Sequence, residues 1–151
     1  DLNKLVESAL KIVQHIVRKR AITVVHERGE LPEIDCAPAQ INQVLLNLLS
    51  NAAQAIEHAD GRIVVRTQAL DRRVLVLIED NGKGIAAADI PRIFDPFFTT
   101  KPVGQGSGMG LAISHQIIEQ HGGVIQVRSK PGVGTRFLIV LPVSATLGAA
   151  S

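Results

Sequence analysis

The sequence predicts an α+β fold, a two-layer sandwich in which one mixed sheet of about five strands is covered by three helices. Two observations lead to this prediction. Three segments carry apolar residues at helical spacing, and five short segments are rich in β-branched and aliphatic residues. Most of the predicted strands follow one another as hairpins and do not alternate with helices, which argues against a parallel βαβ fold.

The predicted helices cover residues 2–18, 40–57 and 110–120. The first is amphipathic, the second has a wide apolar stripe, and the third ends at a histidine followed by two glycines. The second helix also carries polar residues spaced by three or four positions, which places them on one face. These residues are Gln43, Asn47, Asn51, Gln54 and His58.

The predicted strands cover residues 21–26, 62–68, 73–79, 124–129 and 135–141. We expect short helical turns over residues 86–94 and a long loop over residues 95–109, which contain two prolines and three glycines. Residues 1–142 are expected to form one domain, and residues 143–151 a C-terminal tail.

The composition is that of an ordinary globular domain, and it excludes several classes of function. Aromatic residues make up 3% of the 151 residues, and the net charge of +2 includes no dense basic run, so nucleic-acid binding is not expected. The single cysteine excludes an internal disulfide and a cysteine-rich zinc site. No apolar run reaches the ~18 residues that a membrane span needs, so no direct membrane insertion is expected.

A glycine-rich run, GQGSGMGL over residues 104–111, leads directly into the third predicted helix. Alternating glycines let a backbone approach a bulky anion, and a helix N-terminus directs N–H groups and a positive dipole end at that anion. The spacing matches neither the dinucleotide-binding fingerprint nor a P-loop. From these residues alone, a phosphate-binding loop and an ordinary flexible loop both remain open.

Two further polar features have both a structural and a functional interpretation. Asp80 ends an apolar strand, so it is either a turn-capping residue or an acceptor for an exocyclic amine such as adenine N6. Asn47 and Asn51 lie one turn apart on an otherwise apolar helix, where an amide without partners costs roughly 1–3 kcal/mol. They either bond to neighbouring backbone or help to hold Mg²⁺ and phosphate, since Mg²⁺ prefers oxygen ligands.

Five motifs, in a fixed order, resemble those of the catalytic and ATP-binding domain of bacterial sensor histidine kinases, within the gyrase, Hsp90, histidine kinase and MutL superfamily. NLLSNAAQA, DNGKGI, IFDPFFTTK and GQGSGMGLAI resemble the N, G1, F and G2 boxes, and GVGTRF resembles the last glycine box. The resemblance covers about residues 1–142 and implies the Bergerat fold, in agreement with the sandwich predicted above.

The resemblance implies a role for each matching position. Asn47 would coordinate Mg²⁺ and take part in catalysis, Asn51 would contact phosphate, and Lys101 would approach the γ-phosphate of ATP. Asp80 would bind adenine N6, helped by Thr135 through water. The other positions implied for ATP binding line the adenine pocket, anchor the base of a lid together with Phe94, or form the lid and its back edge: Gly82, Gly84, Ile85, Phe97, Phe98, Thr99, Thr100, Gly106, Ser107, Gly108, Met109, Gly110 and Leu111.

The residue at position 47 favours phosphoryl transfer over hydrolysis. Hydrolysing members of the superfamily have a glutamate there as general base, whereas the neutral amide of Asn47 cannot take a proton at pH 7. Catalysis would then depend on positioning and charge neutralisation. The sequence departs from the family at Gln54, where many histidine kinases have a basic residue, so the resemblance supplies no α-phosphate contact at this position.

None of the five histidines has the features of the family's phosphoacceptor. The resemblance places the acceptor on a separate dimerising helical hairpin, so we expect this chain to be the catalytic domain without that hairpin, a monomer in isolation. A response regulator would act downstream. The implied location is cytoplasmic, including as the cytoplasmic part of a membrane-anchored kinase. The alternatives are a hydrolysing ATPase clamp and a nucleotide-binding regulatory module, and the F box argues against both.

Overall fold

The computed structural model describes residues 1–96 and 110–143. Three helices and five strands form in the described part, with one 3-10 turn at Ile90–Arg92. The helices are α1 (Leu2–Lys19), α2 (Pro38–Ala55) and α3 (Gly110–Gln120). The strands are β1 (Thr23–Glu27), β2 (Arg62–Leu70), β3 (Arg73–Asp80), β4 (Val124–Lys130) and β5 (Gly134–Pro142).

The five strands form one open mixed sheet in the order β1-β2-β3-β5-β4. β1 and β2 pair in parallel, and α2 lies in the connection between them. The pairs β2–β3, β3–β5 and β4–β5 are antiparallel. This architecture confirms the predicted α+β sandwich of about five strands and three helices.

Burial along the strands distinguishes the two faces of the sheet. In β3 every second residue is buried, from Val74 through Val76 and Ile78 to Asp80. The buried residues of α2, among them Val44 and Leu48, belong to the same core. Because side chains of a strand alternate between faces, Asp80 at the end of β3 lies on the core face although it is charged.

Helix α2 begins and ends two residues earlier than the sequence predicted. Pro38 occupies its first turn, where the missing N–H costs no helical hydrogen bond. At the other end Ile56 has extended backbone angles, and the Arg20 guanidinium donates to the carbonyls of Ala53 and Ile56, each at 3.3 Å. His58 therefore lies outside the helix and does not continue its polar face, contrary to the prediction.

The other boundaries agree with the prediction to within a few residues. The helical turns expected over residues 86–94 reduce to the single 3-10 turn at Ile90–Arg92. The predicted loop over residues 95–109 lies outside the described residues from position 97 onward. Val143 still bonds to the domain, because its N–H donates to the Arg72 carbonyl at 2.9 Å. The division between residues 1–142 and 143–151 stays a prediction. Among the described residues, no helix has the length and hydropathy to cross a bilayer.

A buried amide fastens α1 to the sheet. The Asn3 Nδ2 donates to the Gly29 carbonyl at 2.9 Å, and its Oδ1 accepts from the Thr67 hydroxyl at 2.8 Å. The Gly29 N–H donates back to the Thr67 hydroxyl at 3.0 Å, which closes a ring of three hydrogen bonds. Both Asn3 and Thr67 are buried, so each polar group is satisfied away from water.

Replacing Asn3 tests the contribution of this ring. Asn3→Ala removes two hydrogen bonds and leaves the buried Thr67 hydroxyl without its acceptor, so it should lower the free energy of unfolding by about 1–3 kcal/mol. Lys4→Ala, at the next and exposed position of α1, is the matched control and should change it by no more than about 0.5 kcal/mol. Urea denaturation of both variants would contradict this interpretation if the two losses were equal.

Candidate functional site

The Asp80 carboxylate lies at the end of the core face of the sheet and is only 6% exposed. The Gly82 N–H donates to its Oδ1 at 2.8 Å, and the Thr135 N–H donates to the carboxylate as well. Burial nevertheless raises the pKa of Asp80 to about 6, because desolvation outweighs these two donors and the nearby Glu79 carboxylate adds to the rise. A further donor supplied by a ligand would stabilise the ionised form.

The two glycines that follow Asp80 are required by packing within the protein. A Cβ on Gly82 would clash with the carbonyl of Ala55 at the end of α2, and a Cβ on Gly84 would clash with the Lys130 carbonyl. Gly84 also has a φ of 77°, which favours glycine. These contacts hold the loop after β3 against both α2 and the β4–β5 turn. The sequence motif therefore has a structural reason besides the predicted contact with adenine.

Asn47 connects α2 to the start of α3. Its Nδ2 donates to the Gly110 carbonyl and to the Ser114 hydroxyl, each at 3.2 Å. Both donor hydrogens are thus used within the protein, and among residues 1–96 and 110–143 no group donates to the Oδ1 atom, which can face a cation or a water. The side chain is half-buried, and Ser114 is fully buried.

The remaining predicted residues in the described part surround these two centres. Asn51 is half-buried one turn after Asn47 on α2, and Leu111 packs partly against the core at the start of α3. Ile85 is half-buried after the Asp80 turn, and its N–H donates to the Ser129 hydroxyl at 2.7 Å. Thr135 stands directly opposite Asp80 in the β3–β5 register. The fold therefore places Asp80, Thr135 and Ile85 in one group and Asn47 beside Gly110.

Phe94, predicted to anchor the base of the lid, lies close to α3. Its ring centroid is 4.9 Å from that of His115, and the two rings are tilted by 31°. His115 Nε2 is also 3.4 Å from the Glu119 carboxylate one turn further along α3. The other lid and F-box residues lie outside the described residues: Phe97, Phe98, Thr99, Thr100, Lys101, Gly106, Ser107, Gly108 and Met109.

Several residues that were not predicted from the sequence support the site. His121 donates from Nδ1 to the Ile117 carbonyl at 2.8 Å, and its Nε2 accepts from the Ala37 N–H at 3.1 Å, so it joins the end of α3 to the start of α2. These two bonds require the neutral tautomer with hydrogen on Nδ1.

His58 and Asn81 fasten the loop that follows Asp80. His58 Nε2 donates to the Asn81 carbonyl at 2.8 Å, while its Nδ1 accepts from the Asp60 N–H at 3.2 Å. The Asn81 side chain accepts from the Arg62 N–H and donates to the Asp60 carbonyl, each at 2.8 Å. Ser114 could have been found from the sequence, because it is a polar residue within the apolar pattern of α3. Asn81, His121 and Ser129 each have one partner that is distant in the sequence, which no local pattern indicates: Arg62, Ala37 and Ile85, respectively.

Comparison with known proteins supports a nucleotide site in this region. Residues 36–145 match the family described as histidine kinase-, DNA gyrase B-, and HSP90-like ATPase. The sensor histidine kinase ZraS of Escherichia coli K12 is 45% identical over 148 residues, which cover 97% of this chain and 31% of ZraS. The chain thus spans about a third of the length of that relative.

Solved structures show the same fold. The nucleotide-free catalytic domain of histidine kinase ThkA has a TM-score of 0.86 and 31% identity, with 97% of this chain and 95% of that domain covered. ThkA in complex with the response regulator TrrA has a TM-score of 0.81 and 28% identity, covering 97% of this chain and 41% of that one. Full-length ShkA in complex with AMPPNP has a TM-score of 0.84 and 27% identity, covering 94% and 30%.

The variant Asp80→Asn tests the cost of burying this carboxylate. Because the pKa of about 6 in the folded protein lies above the ordinary aspartate value of 3.8, the contribution of this group to stability is fully present below about pH 4 and is lost as the pH rises through 6. The amide does not titrate. The free energy of unfolding of the variant, relative to the native protein, should therefore rise by about 2 kcal/mol between about pH 4.5 and about pH 7.5.

Urea denaturation at the two pH values measures this difference. Glu57→Gln, at an exposed position just beyond α2, is the control for removing a carboxylate and should give a smaller change. Parallel pH profiles for Asp80→Asn and the native protein would show that the carboxylate is not held in a desolvated state.

Proposed function

The chain belongs to the family of histidine kinase-, DNA gyrase B- and HSP90-like ATPases and is an ATP-binding catalytic domain of the sensor histidine kinase type. From this premise we propose that it transfers the γ-phosphate of ATP to a histidine on a separate phosphoacceptor domain. The alternative is hydrolysis of ATP by a clamp-type enzyme or nucleotide binding without transfer. The observation that favours transfer is the hydrogen-bonding state of Asn47.

Asn47 is held so that it can bind but cannot act as a base. Its Nδ2 is committed to Gly110 and Ser114, so the Oδ1 remains for a ligand. An amide oxygen does not take a proton from water at neutral pH, which a hydrolytic mechanism with a general base at this position would require. Phosphoryl transfer to a protein acceptor needs positioning and charge neutralisation, which such a side chain supports.

We propose that the Asn47 Oδ1 is the protein's ligand for Mg²⁺. The donor is an oxygen, as Mg²⁺ prefers, and its orientation is already fixed by the two bonds from the amide nitrogen. When bound, Mg²⁺ would supply charge neutralisation at the phosphate oxygens of ATP. Asn51, one turn further on the same helix, would contact phosphate.

Asp80 and Thr135 would recognise the adenine. The buried carboxylate accepts from two backbone N–H groups and has the capacity to accept from the adenine N6 amine as well. Gly82, Gly84 and Ile85 would line the same pocket. The lid residues, including Lys101 near the γ-phosphate, remain proposals based on the resemblance alone, since they lie outside the described residues.

The proposed protein partners follow from the same family relationship. The complex of ThkA with TrrA is one between a histidine kinase and a response regulator. We propose a response regulator as the downstream partner of the protein that contains this domain, and a dimerising helical hairpin as the phosphoacceptor. A monomeric state of the isolated domain and a cytoplasmic location stay predictions.

Binding of Mg-ATP should stabilise the domain through Asn47. Ligand at about 100 times its Kd adds about 2.7 kcal/mol to the free energy of unfolding, which a thermal shift would detect. Asn47→Ala should weaken Mg-ATP binding and reduce the difference between measurements in Mg²⁺ and in EDTA. Gln43→Ala, exposed one turn earlier on α2, is the control and should behave as the native protein. An unchanged dependence on Mg²⁺ in Asn47→Ala would contradict the proposed ligand.

Transfer and hydrolysis can be distinguished with γ-labelled ATP. Mixed with a histidine-containing helical hairpin of a sensor kinase, the domain should place acid-labile label on the hairpin, and Asn47→Ala should abolish this label while Gln43→Ala retains it. Release of free phosphate in the absence of the hairpin, at a rate that the hairpin does not change, would instead support the hydrolysing alternative.

A further inference from the structure

A row of three polar side chains crosses the end of the sheet on its core face. In the strand register Asp80 of β3 stands opposite Thr135 of β5, and Thr135 stands opposite Ser129 of β4. Asp80 and Thr135 are each 6% exposed, and Ser129 is half-buried. Asp80 and Thr135 have proposed roles toward adenine, whereas Ser129 has none.

The Ser129 hydroxyl connects three parts of the proposed pocket. It accepts from the Ile85 N–H at 2.7 Å, and its Oγ lies 3.0 Å from the Gly134 carbonyl oxygen and 2.8 Å from the Thr135 Oγ1. The loop after β3 and the turn before β5 are thus joined through one side chain.

The hydrogen inventory of Ser129 allows two arrangements. A serine hydroxyl has one hydrogen, and here that hydrogen faces two acceptors, the Gly134 carbonyl and the Thr135 Oγ1. If it points to Gly134, the Thr135 hydroxyl donates to Ser129. If it points to Thr135, the Thr135 hydrogen is released and can be donated into the pocket, directly or through a water.

We propose that Ser129 is a positioning residue for adenine recognition, which makes the Thr135 hydroxyl a donor toward the N1 edge of the base. This inference rests on the proposed adenine site. Adenine presents an N6 amine donor beside the N1 acceptor, whereas guanine presents an O6 acceptor beside an N1–H donor. The Asp80 carboxylate complements the first group of adenine, and a donating Thr135 complements the second.

Loss of the Ser129 hydroxyl should therefore weaken recognition of N1. In Ser129→Ala the Thr135 hydroxyl loses the hydrogen bond that it accepts from Ser129, which orients it toward the base. The Ile85 N–H loses its acceptor. We expect the Kd for ATP to rise about tenfold, the effect of one lost hydrogen bond, and the Kd for GTP to change by less than about threefold. The preference for ATP over GTP should narrow accordingly.

The test is a comparison of ATP, GTP and 1-deaza-ATP by isothermal titration calorimetry. 1-Deaza-ATP has C–H in place of N1, so the native domain should bind it less tightly than ATP, and Ser129→Ala should discriminate between the two much less. Arg128→Ala, at the neighbouring exposed position of β4, is the control and should keep the native discrimination. Ser129→Thr retains a hydroxyl and should discriminate between ATP and 1-deaza-ATP as the native domain does.

Three outcomes are distinguishable. Equal discrimination between ATP and 1-deaza-ATP in the native domain and in Ser129→Ala would overturn the role of Ser129, even if the variant were less stable. Absence of ATP binding by the native domain would overturn the proposed function itself. If Ser129→Ala does not fold, the same comparison is made with Ser129→Cys. Cysteine is closer to serine in shape than alanine is, but its thiol is a much weaker hydrogen-bonding group. Equal discrimination between ATP and 1-deaza-ATP in the native domain and in Ser129→Cys would then overturn the role of Ser129.

Discussion

The surrounding structure must compensate a carboxylate that is buried at the end of the sheet. Asp80 continues the alternation of buried side chains along β3, so its position on the core face follows from the strand itself. A buried charge must be compensated, and the N–H groups of Gly82 and Thr135 compensate it in part. Because desolvation still raises the pKa of Asp80 to about 6, the site retains a capacity for one more donor. A base that carries an exocyclic amine supplies such a donor.

The second constraint is the attachment of α3 to α2. Asn47 holds the start of α3 through Gly110 and Ser114, and His121 holds its end to the Ala37 N–H. The glycine-rich run of the sequence leads into α3 at Gly110, and the Asn47 amide donates to the carbonyl of that residue. Helix packing and the proposed Mg²⁺ site are therefore connected through the same amide, whose nitrogen bonds to α3 and whose oxygen is the proposed ligand.

Local patterns predicted the elements well where burial follows the period of the backbone. The stripe of α2 and the alternation in β3 indicated the helix and the strand, and the helix over residues 110–120 was predicted at its observed bounds. The end of α2 was misplaced because Arg20, from another part of the chain, donates to the last carbonyls and the backbone extends at Ile56. His58 was consequently placed on the helix although it bonds to Asn81 in the following loop.

The sequence by itself determined the order of the motifs, the neutral amide at position 47 and the carboxylate at the end of a strand, and from these the family and the fold class followed. Only the tertiary structure decided that Asp80, Thr135 and Ser129 stand in one row and that the Asn47 nitrogen is already engaged. The physical reason is that strand register and helix packing depend on contacts between residues far apart in the chain. The role of the Ser129 hydroxyl can be assigned only when the neighbouring strand β5 is known.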